Sequence, residues 1–209
     1  MAGARITNSN NCNPWRPLRT ALILGLLIFL AAHSVRIFAD DWRTAQITGK
    51  GEKAWKGIYS LISLAGFVLL VWGYGQTRID PVDLWTPPLW THHVTALLTV
   101  LAFISLAAAY VPGNHIKAAI GHPMVAGVKL WALAHLLSNG RLGDVILFGT
   151  FLVWSVVNFS SSRRRDRAAG TTYPAGTVKG DVIVVVAGVI AALVFSKFLH
   201  LWLIGVATT

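Results

Sequence analysis

The stretch TALILGLLIFLAAHSVRIFA, residues 20–39, holds one cationic side chain, Arg36, and no carboxylate. Twenty residues in an α-helix rise about 30 Å, the thickness of a bilayer's hydrocarbon core. A run so long and so apolar reads as a membrane span, with a histidine embedded in it. Its polar leader is long for a secretory signal, and further spans follow, so we read it as a retained helix.

Working outward, apolar runs recur at residues 57–75, 94–110, 123–138, 143–159 and 181–206. They predict an all-α, polytopic transmembrane bundle of about six spans, with residues 1–19 as a polar leader and 20–206 as one domain. Composition agrees: 55% of the 209 residues are hydrophobic and 12% charged, against about a quarter charged in soluble domains. Polar loops are expected at Asp40 to Lys56 and around Arg163, Arg164, Arg165 and Arg167. Pro81, Pro87 and Pro88, set among Trp85 and Trp90, break any helix at headgroup depth. Pro123 suits a first helical turn, and Asn139 with Gly140 can cap the fourth span.

The net charge of +10 does not mark a nucleic-acid binder, because the basic residues sit in short loops without an aromatic and basic platform. Membrane topology accounts for them: eleven lysines and arginines fall on one side of a six-span chain and five on the other. Positive loops stay cytoplasmic, which puts the first, third and fifth loops inside and both termini outside. The single cysteine, Cys12, says nothing about redox compartment.

Ionisable groups at membrane depth are costly and mark candidate sites. They are His33 in the first span, Lys129 and His135 in the fourth, and His122 at the fourth's threshold. Arg36 lies one turn beyond His33 on the same face and nearer the surface. That pattern suits a haem, with the imidazole on iron and Arg36 on a propionate. It equally suits a histidine bonded to a neighbouring helix and an arginine snorkelling to headgroups. His122 reads first as a capping residue. The thirteen-residue step to His135 turns the two onto nearly opposite faces about 20 Å apart, so they cannot serve one small metal. Lys129 needs a carboxylate, a propionate or a water-filled cavity, and with no acidic residue expected inside a span the latter two are favoured. His92, His93, His115 and His200 read as interfacial. Phosphate loops, paired cysteines, HExxH and GxSxG are all absent, which argues against hydrolysis and phosphoryl transfer.

Four segments, His33-Ser34, GEKAWKGIYSLISLAGFVLLVWGYG at 51–75, AAYVPGNHIK at 108–117 and GHPMVAGVKLWALAHLLSNG at 121–140, resemble the NnrU family of bacterial membrane proteins. The resemblance runs from about residue 21 to about 205. It implies a multi-pass protein of the bacterial inner membrane, associated with nitric oxide and nitrite reduction in denitrification and with nitrogen-oxide respiratory proteins as partners. A distant relative by the same resemblance is zeta-carotene isomerase, a haem b enzyme. Its iron ligands fall by motif on His33 and His135, and its HP histidine on His122. Where the isomerase has a cysteine three residues before the second ligand, this chain has Ala132, which puts isomerisation by ligand exchange in doubt. Helix arithmetic adds a difficulty: with these spans, His33 lies near the cytoplasmic end and His135 near the opposite one. Either the fourth helix begins deeper, or the partner of His33 is His122. Three functions follow: a haem b protein of nitrogen-oxide metabolism, a haem-dependent cis-trans isomerase of a polyene, and a cofactor-free accessory protein.

Overall fold

A computed structural model describes residues 16–206 and 208, with side chains from residue 20 onward. Most of the predicted leader, including Cys12, lies outside the described residues. All the regular elements of the described chain are helices: α1 (Arg16–Phe38), α2 (Asp40–Lys50), α3 (Glu52–Thr77), α4 (Trp90–Tyr110), α5 (His115–Ile120), α6 (Pro123–Ser138), α7 (Leu142–Ala168), α8 (Val178–Val194), a π-helical turn at Phe195–Leu199 and α9 (His200–Ile204). Five helices are long and apolar enough to cross a bilayer, counting α8 to α9 as one; α6 is shorter. Its sixteen residues rise about 24 Å. It nevertheless runs antiparallel to both α4 and α7, because Gly127 meets Ala102 while Ala134 accepts from Thr95, and His122 meets Phe159 while His135 meets Phe148. The described residues thus form a polytopic membrane fold of five helices long enough to span and a sixth, shorter one packed among them.

Neighbouring helices follow the order α3, α1, α7, α6, α4, α8. The α1 to α3 contact is the tightest: Gly25, Gly66 and Gly73 bring backbone onto backbone, and a Cβ on Gly66 would stand 2.7 Å from the Phe29 nitrogen. Without a hydrophobic drive between helices in lipid, such small-residue seams supply packing. The core behind this seam is Leu22, Leu26, Leu30, Leu70, Leu147 and Phe148, whereas α8 turns Val182, Val185, Val186 and Ile190 outward.

Three expectations are corrected. The polar segment after the first span is the helix α2, not a loop; its buried residues number none, which fits a helix lying along the interface. The basic segment after residue 159 continues α7 to Ala168, because arginines favour helix and their long side chains reach the headgroups from a protruding end. The sixth span ends at Ile204, not 206, after the π-helical turn. Pro123 does open α6, but Asn139 closes it in extended backbone, its side-chain amide donating to the His135 carbonyl at 2.9 Å.

Candidate functional site

Helix α7 sorts the polar and aromatic side chains into layers. Near its start, Phe148 stacks on His135 of α6 with ring centroids 4.4 Å apart. Next, Phe151 meets Trp131 of α6 at 5.5 Å and Phe29 of α1 at 6.0 Å. Then Trp154 stands edge-on to His33 of α1 at 6.3 Å and donates its indole N–H to Ser34 Oγ at 3.1 Å. Phe29 and Tyr59 complete the surround of His33, at 4.1 and 5.3 Å.

Both imidazoles carry the same local device. His33 Nδ1 lies 2.7 Å from the Phe29 carbonyl, and His135 Nδ1 lies 2.9 Å from the Trp131 carbonyl, each one turn back on its own helix. A carbonyl only accepts, so Nδ1 carries the proton in both rings. In the neutral ring Nε2 is then the unprotonated nitrogen, the form a metal ligand takes when its other ring N–H is held by a backbone carbonyl.

That device tests the haem b implied by the resemblance. Each ring alone fits an axial ligand. As a pair they could serve the two faces of one porphyrin only if both Nε2 atoms reached a single iron. Phe148 and Trp154, which mark the two levels on α7, are separated by about 9 Å of helix rise. Phe29, Trp131 and Phe151 occupy the layer between.

The alternative partner, His122, is engaged elsewhere. Its Nε2 lies 2.8 Å from Asp166 Oδ2, an oxygen that also accepts from Tyr173 at 2.7 Å, with Arg163 at 3.9 Å. Partial burial and then the hydrogen bond to Asp166 push the Tyr173 phenol above its ordinary value. Lys129 has found a partner that sequence reasoning did not name, the face of Phe159, 4.2 Å from its ammonium. A cation over an aromatic ring is a recognised substitute for an ion pair. Arg36 is exposed, and its carbonyl accepts from Arg165 at 3.3 Å, so the ends of α1 and α7 converge at the basic face.

Of the histidines read as interfacial, His115 pairs with Asp181 at 2.7 Å, and His200 donates to the Val206 carbonyl at 2.7 Å. No cluster of three or more metal-binding side chains forms among the described residues. Two polar groupings were missed. Asp166, the lone acid in a basic run, was visible as an oddity in the sequence, but Tyr173 was not. Asp144 corrects the expectation that no acid lies within a span: it sits buried in the first turn of α7 and accepts from Tyr74 at 2.7 Å.

Fold and site together define a polytopic helical membrane protein with two half-buried imidazoles set among aromatic side chains. The NnrU protein family model matches residues 21–208, nearly the whole chain, and the chain belongs to that family. No curated protein and no solved structure matches it.

Proposed function

We propose that this NnrU-family chain binds haem b within the bacterial inner membrane and serves nitric oxide and nitrite metabolism alongside nitrogen-oxide respiratory proteins. The observation that carries the reading is the locked tautomer of His33 and His135, whose Nε2 atoms are bare bases inside an aromatic core. His33 is the primary ligand. Arg36 and Arg165 stand nearer the basic face, where guanidinium forks suit propionates. His135 joins as second ligand only if the layer of Phe29, Trp131 and Phe151 parts. Lys129, held over Phe159, is the reserve cation for a propionate.

Protein produced with ample haem and purified in detergent should show a Soret band. His33→Ala should abolish it; His135→Ala should retain it, with a changed spin state wherever His135 is a ligand. Colourless protein would overturn the proposal and select the cofactor-free accessory reading, which the filled aromatic layer favours. The polyene isomerase reading rests on the same two histidines. At its exchange position this chain has Ala132, fully buried and without a ligand atom.

A further inference from the structure

One face of α7 carries two adjoining grooves. The upper, about 490 Å³, is walled by Val145, Gly149, Thr150, Val153, Trp154 and Val157, with Ile37 and Phe38 of α1 closing it. The lower, about 460 Å³, shares Ile37, Phe38 and Val157 and continues along α7 over Ser160, Ser161, Arg164 and Arg167. Together they form one slot, apolar at one end and cationic at the other.

We propose that this slot binds one anionic phospholipid of the leaflet on the basic side. The acyl chain lies along Val157, Val153 and Gly149, and Arg164 and Arg167 take the phosphate. The dimensions agree. The fifteen residues from Gly149 to Arg164 rise about 22 Å, the roughly 15 Å half-thickness of a hydrocarbon core plus a headgroup layer. Arg164 and Arg167 follow about two and three turns beyond Val157, at headgroup depth.

Charge complementarity selects the headgroup. Arg163 is turned to Asp166 and Arg165 forks onto Ser161 and Ser162 at 2.8 Å each. Arg164 and Arg167, three residues apart and hence on one face, are exposed and have no carboxylate partner among the described residues. Basic pockets beside transmembrane helices on the cytoplasmic side are suited to anionic headgroups. The slot is also built firmly, because Arg165 ties α7 to the Arg36 carbonyl and so holds Ile37 and Phe38 over the groove.

The test is native mass spectrometry of the full-length, delipidated protein offered phosphatidylglycerol or phosphatidylcholine with identical acyl chains. Wild type should retain phosphatidylglycerol on the order of tenfold better. Arg164→Ala with Arg167→Ala should erase the preference, whereas Arg164→Lys with Arg167→Lys should keep most of it, which separates lost charge from lost fold. Gly149→Phe fills the slot, and since a Cβ there meets nothing within 4 Å it should fold normally yet retain less of either lipid. Equal retention of the two lipids by wild type, an intact preference in the double alanine variant, or unchanged retention in Gly149→Phe would overturn the proposal. So would dimer masses that disappear in Gly149→Phe, since these would seat a second copy in the slot.

Discussion

On one side of α1 the backbone touches α3 through Gly25, Gly66 and Gly73. On its other side α1 is held off α7 by Phe29, Phe151 and Trp154. The two contacts respond differently to a guest. Backbone cannot rotate out of the way, whereas aromatic side chains have other rotamers. Of the two, only the aromatic side, where both half-buried imidazoles also lie, can make room for an insert by changing rotamers. The glycine seam serves as the fixed wall.

The largest way to break this contrast is to put a side chain into the seam. In Gly73→Leu the new Cβ would overlap the backbone of Ala21 and Leu22, which should cost roughly 3 kcal/mol or more and lower the yield of folded protein. Two residues on, a Cβ at Gly75 meets nothing within 4 Å, so Gly75→Leu should change stability by no more than about 0.5 kcal/mol. Thermal unfolding in detergent, followed by circular dichroism, compares the pair. Equal losses would mean that the seam is not tight.

The aromatic wall is sharpened by thinning it. Phe151 is partly buried and touches rings from α1 and α6, so Phe151→Ala should cost less than the roughly 3 kcal/mol of a fully buried phenylalanine. If the layer is what keeps His135 from the iron of His33, the same variant should shift a haem spectrum toward the six-coordinate, low-spin form. A destabilised protein with an unchanged spectrum would show that Phe151 is packing alone.

Much of this was readable from the sequence. Six apolar runs predicted about six spans, and six apolar helices follow them, five of them long enough to cross, because burial in lipid demands length and apolarity that the chain states openly. The ends of the helices were less legible: the Asp40 to Lys50 segment is polar enough to pass for a loop, and only the bilayer surface makes its helix worthwhile. His33 and His135 stood out as imidazoles at depth, yet their locked tautomers required the carbonyls of Phe29 and Trp131 to be placed. His122 was visible, but its partners Asp166 and Tyr173 lie 44 and 51 residues away, beyond any helical period. Lys129 was expected to need an anion; Phe159 lies on another helix, and no spacing rule points to it.

The smallest effect belongs to Ser34, the neighbour of His33 on α1. Its hydroxyl accepts from Trp154 at 3.1 Å, linking α1 to α7 across the aromatic wall. Side-chain hydrogen bonds between membrane helices average only about 0.6 kcal/mol, because the separated helices also find partners. Ser34→Ala should therefore lower the unfolding temperature slightly and leave the absorption spectrum as it was. The serine would then be a tie between helices and the histidine the binding group. A lost Soret band in Ser34→Ala would instead mean that the α1 to α7 spacing sets iron binding, and the wall would have to count as part of the site.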